Sequence, residues 1–129
     1  MQKSGILKIG RMAVIPMIFT GIVWLVSCEK YTFDPPTIDP GVQISFQNDI
    51  QPVFNSKCIA CHGTGKNKPI LQSGSAYESL TTDGYTNVAK PESSELYVQL
   101  TTNAGHKSIL NDLQKQTILE WIKQGAQNN

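Results

Sequence analysis

The sequence predicts an all-α domain of about four short helices, and three observations predict it. Apolar residues recur at helical spacing in separate stretches, those stretches begin or end on helix-capping chemistry, and no alternating strand pair or internal repeat occurs. Composition adds a constraint. A domain of about 85 residues holding only one of the chain's two tryptophans is a marginal core by itself, so the fold calls for something large and apolar at its centre.

The first helix is expected across SFQNDIQPVFNSK, where Phe46, Ile50, Val53 and Phe54 fall at i, i+4, i+7 and i+8 and line one face. Ser45 is its expected cap, and Pro52 is expected to bend it or divide it into two turns before it ends ahead of Cys58. Gly63 to Lys68 reads as a loop, and Pro69, Ile70 and Leu71 as a short extended passage. A second helix follows to about Thr82, with Ser75 and Glu78 spaced as a capping box and Ala76 and Leu80 expected to be buried. Asp83-Gly84 makes a turn. The third helix starts at Ser93 or Ser94 and presents Leu96, Tyr97 and Leu100. In the last, Asn111 and Gln114 are spaced as a reciprocal cap, Leu113, Ile118, Trp121 and Ile122 are expected on one face, and Gly125 supplies a left-handed stop.

Residues 1–27 do not read as part of this fold. Lys3, Lys8 and Arg11 precede the uncharged run Met12 to Val26, the order of an export signal, and that run falls short of the roughly 20 residues a spanning helix needs. It ends in LVSC, which resembles the lipobox of bacterial lipoproteins. The resemblance implies lipidation of Cys28 and a stable hold on a membrane, after export across the inner membrane to the periplasmic or cell-surface side. Residues 28–44, with three prolines and a glycine from Glu29 onward, read as a flexible tether, and residues 45–129 as the domain. Removal of the signal leaves 8 basic against 10 acidic residues, a net charge of −2, without the basic footprint of a nucleic-acid binder.

Chemistry concentrates in SKCIACHGTG, which holds Cys58, Cys61 and His62. Three chemistries use such residues. Structural zinc takes four ligands; the mature chain offers only these three and His106, with Cys61 and His62 adjacent and no second histidine three to five residues away. A redox dithiol belongs after a strand in a βαβ setting, whereas the residues before Cys58 read as helix. A c-type haem accounts for all three residues together, with Cys58 and Cys61 as thioether anchors and His62 as proximal iron ligand.

The segments FQNDIQPVFNSKCIACHG, LQSGSAYESL, PESSELYVQL and WIKQGAQNN together resemble the small class I c-type cytochrome domains of exported bacterial proteins. That resemblance implies a cytochrome c-like fold around a covalently bound haem c, with the first and last helices crossing so that Phe46 or Ile50 meets Trp121 or Ile122. It also implies that the Pro69 carbonyl receives the proton of the second His62 ring nitrogen. The chain departs from the family at the distal ligand. Its three methionines, Met1, Met12 and Met17, all lie in the export segment. His106, in TTNAGHKSIL at the place of the family's methionine loop, becomes the candidate distal ligand.

The function expected is single-electron transfer by a membrane-anchored, haem-bearing protein that meets redox partner proteins and is not an enzyme. An open distal position would instead suit a haem enzyme or ligand sensor, and a haem-bearing interaction module of a surface assembly is a third class.

Overall fold

The computed structural model describes residues 37–39 and 41–129. The expected export segment, Cys28 and much of the tether lie outside the described residues.

Among the described residues the chain forms helices and no strands, so the all-α expectation holds. Ser45 opens the first helix: its hydroxyl accepts from the Asn48 N–H at 3.1 Å, and its own N–H donates to the Asp49 carboxylate at 2.8 Å. The turn Phe46–Ile50 is widened to a π-helical one, in which the Gln51 N–H reaches back to the Phe46 carbonyl. Pro52 explains the widening. It has no N–H to donate and its ring crowds the carbonyl four residues earlier, so an enlarged turn ahead of it keeps the helix going. Helix α1 (Gln51–Lys57) follows, then the short α2 (Ile59–His62), with Cys58 capping the end of one and the start of the other.

Helix α3 (Ala76–Thr82) buries Ala76 and Leu80 as expected, but Ser75 and Glu78 do not form the capping box. Gly74, at φ +86°, turns the chain so that the Gln72 carbonyl already accepts from the Ser75 and Ala76 N–H groups. Ser75 therefore sits at φ −122°, ψ −18°, outside the extended region that aims a capping hydroxyl at the helix. A 3₁₀ turn, Pro91–Ser93, leads into α4 (Glu95–Thr102), which buries Leu96 and Leu100. Ser94, fully buried, uses its hydroxyl to accept the Asn87 N–H at 2.8 Å, pinning the loop ahead of α4.

Helix α5 (Asp112–Lys123) carries the complete Asn111/Gln114 capping box. It stops at Gly125, φ +99°, where the Gly125 N–H donates to Ile122 and the Ala126 N–H to Trp121, the paired bonds of a Schellman ending. Ile118, Trp121 and Ile122 are buried as expected, whereas Leu113 is 48% exposed. Five residues separate Leu113 from Ile118, which at 3.6 residues per turn carries it well off the buried stripe.

Phe46 is the centre of the core. Its ring lies 5.2 Å from that of Trp121, 5.4 Å from Tyr77 and 6.4 Å from Phe54, so the first and last helices meet through Phe46 and Trp121. The packed region also begins before residue 45: Ile38 rests on the core, Ile44 is buried, and the Gln124 amide clamps Ile44 N–H and Val42 carbonyl at 2.8 Å each. Isolated apolar residues among prolines dock without any periodicity to announce them. No helix among the described residues is long and apolar enough to cross a membrane.

Candidate functional site

Cys58, Cys61 and His62 share one helical turn because the Cys58 carbonyl accepts both the Cys61 N–H at 3.0 Å and the His62 N–H at 2.9 Å. That turn brings both cysteines to one side of the helix, as their i, i+3 spacing requires. They are free thiols; Cys58 is half-buried and Cys61 exposed. Burial, and secondarily the neighbouring Cys61, pushes the Cys58 thiol up from 9.0 to about 11. At neutral pH it stays protonated, the reverse of the depressed thiol that redox dithiols use for attack.

His62 is held on both sides of its chain position. Its Nδ1 lies 3.1 Å from the Pro69 carbonyl, the partner implied by the resemblance, and its own carbonyl accepts the Leu71 N–H at 2.7 Å. Because a carbonyl only accepts, Nδ1 is the donor in this contact, and Nε2 is the ring nitrogen left for another partner. The loop that carries Pro69 is tied in turn to α1, where the buried Gln51 amide donates to the Leu71 carbonyl at 3.0 Å. Gly63, next after His62, is buried against the turn: a Cβ there would lie 2.9 Å from the Ile59 carbonyl oxygen. Only glycine lets the chain leave the motif this closely.

Above this turn lies a cavity of about 290 Å³, close to the lower end of the ~300–1,000 Å³ span of cofactor and ligand pockets. Phe54, Pro69, Leu71, Leu96 and Leu100 supply its apolar walls, and Cys58 and His62 enter it from one side. Two of its polar lining residues have partners: Lys68 pairs with Asp83 at 3.0 Å, and Gln99 donates to Glu95 at 2.7 Å. Lys68 and Glu95 are exposed, so the cavity opens to solvent along one edge.

His106 enters the same cavity from the loop between α4 and α5. The His62 and His106 ring centroids stand 6.0 Å apart, with planes inclined at 50°. Two imidazoles binding one metal from opposite sides at ~2.0–2.1 Å hold their centroids roughly 6.3 Å apart, so the observed gap accommodates one metal atom. His106 Nδ1 is the one buried side-chain polar atom without a hydrogen-bond partner among the described residues. A buried nitrogen left unpaired costs about 1–3 kcal/mol, and no hydrogen bond from the described residues fixes this ring's direction.

The donor set suits a metal that already has an equatorial ring. Among the described residues no group of three or more His, Cys, Asp or Glu side chains converges as a bare ion would need. Two imidazoles 6.0 Å apart on one cavity, Cys58 beside them in the lining with Cys61 on the same turn, and apolar walls from α1 and α4 are residues that would suit a haem, whose own nitrogens fill the plane.

Leu96 and Leu100, expected only on a buried helix face, also wall the cavity, and Tyr85 joins them from the loop after α3. Periodicity marks which side of a helix is covered; it does not say whether protein or cofactor covers it. No protein family, no curated protein and no solved structure matches the chain.

Proposed function

We propose that this domain holds a covalently attached haem c in a class I cytochrome-like arrangement and carries single electrons for an exported, lipid-anchored protein. The observation that carries this reading is the pairing of the chain's two histidines, His62 and His106, 6.0 Å apart across an apolar cavity next to C-x-x-C. Cys58 and Cys61 are the thioether anchors, His62 the proximal ligand and His106 the distal one. Cys28 is the lipidated residue.

A haem so held supplies reversible one-electron chemistry at iron. The chain's residues set its conditions. Pro69 fixes the direction of the His62 ring by accepting from Nδ1. Leu71, Leu96 and Leu100 exclude water from the cavity walls, while the edge near Lys68 and Glu95 stays open for a redox partner protein. With both axial positions taken by side chains and no acid–base pair free of its own partner in the lining, the arrangement favours electron transfer over turnover of a substrate.

A spectroelectrochemical titration of the matured protein tests this. The expected result is one reversible wave that fits a single electron, at a lower potential than methionine–histidine ligation sets. An irreversible response, or rapid peroxide consumption without a reversible wave, would sink the electron-carrier reading.

A further inference from the structure

The two histidines line one cavity but are anchored very differently. His62 is pinned by its ring bond to Pro69, by the backbone bond to Leu71 and by the helical turn it shares with Cys58. His106 has no such hold. Between the buried Leu100 and Leu110, the side chains are exposed except for Thr101 and His106, which are half-buried. The loop's backbone bonds are all local: the His106 and Lys107 N–H groups donate to the Asn103 carbonyl, the Ile109 N–H to the His106 carbonyl, and the Gly105 N–H to the Asn103 side chain. The His106 ring presents a buried Nδ1 with no partner among the described residues. An imidazole carried on a locally bonded, solvent-facing loop can swing out without breaking a core contact, whereas withdrawal of His62 would break the turn that carries both cysteines.

Building on the haem reading above, we infer that His106 is the exchangeable axial ligand, so that a neutral diatomic gas enters on its side while His62 stays bound. The resting protein is six-coordinate and becomes a gas-binding site only by release of His106. The fraction of molecules with His106 released sets the apparent affinity, because an internal ligand competes for the same position. Electron transfer and gas binding are then alternative states of one site, divided by the position of one loop.

Stopped-flow mixing of the reduced, matured full-length protein with carbon monoxide tests this. In the wild type the rate should level off as carbon monoxide rises, at the release rate of His106. In His106→Ala it should stay proportional to concentration and run roughly ten- to hundredfold faster at the same concentration. The two carbonyl spectra should coincide, since His62 is the remaining ligand in both, and free imidazole should restore the wild-type resting spectrum to the variant. A wild type that keeps its six-coordinate spectrum and never takes up carbon monoxide overturns the inference while leaving the haem reading intact. Carbonyl spectra that differ between the two proteins overturn it as well, because His62 is then the group displaced. If the variant binds neither carbon monoxide nor imidazole, the loop shapes the cavity rather than supplying a ligand, and the inference fails. A wild type without haem, or one whose uptake is already proportional and as fast as the variant's, removes the axial pair on which the inference rests.

Discussion

Replacing Trp121 by alanine is expected to destabilise the domain by about 3–5 kcal/mol, the loss for a fully enclosed aromatic side chain that its surroundings cannot refill. Trp121 has no exposed surface, stacks on Phe46 at 5.2 Å and donates its indole N–H to the Gln127 carbonyl at 2.8 Å. The change therefore loosens the contact between the first and last helices and removes one of the bonds that hold the tail beyond the Gly125 turn. At roughly 4–8 °C per kcal/mol for a domain of this size, the thermal midpoint should fall by at least ~12 °C. Leu113→Ala in the same helix should stay within about 0.5 kcal/mol, because that side chain is 48% exposed. Equal losses in the two variants would show that the packing face of α5 is misassigned.

The second large effect is expected from the paired substitution Cys58→Ser and Cys61→Ser. On the proposed haem attachment, either thiol alone would leave one thioether to tie the haem to the chain, so each single variant should keep its cofactor through acidic organic extraction. The double variant should release all of it. Its thermal midpoint should also become dependent on added haem, as for any ligand that binds the folded state reversibly, whereas the wild type's should not. Retention of haem by the double variant on a denaturing gel would place the covalent bond elsewhere.

The elements most legible in the sequence are those decided within a few residues. Asn111 and Gln114 cap α5, Gly125 ends it, Ser45 opens the first helix and Pro52 disrupts its regular turn, all through bonds or clashes inside one or two turns. Ser75 shows where such reasoning stops. Its spacing to Glu78 is correct for a cap, but the left-handed Gly74 immediately before it rotates the entry of the chain. Leu113 shows a different limit, since an apolar residue near a helix start joins the buried stripe only if its angle fits.

The candidate site divides the same way. Cys58, Cys61 and His62 are neighbours in sequence and share one turn, so motif spacing nearly determines their geometry. His106 reaches the cavity only because α4 and α5 fold its loop over the turn carrying His62, and sequence alone offered just the family position of a missing methionine. Gly63 carried no signal beyond being a glycine. Its close approach to the Ile59 carbonyl emerges only once the chain is folded.

The covalent haem we propose on the C-x-x-C-H turn is open to a direct test. Tryptic digestion of the denatured, matured protein cuts after Lys57 and Lys66 and isolates the peptide CIACHGTGK. Mass spectrometry should find that peptide heavier by one haem, with no free thiol on Cys58 or Cys61. The same peptide at its unmodified mass, or with the two cysteines joined as a disulfide, would contradict the account.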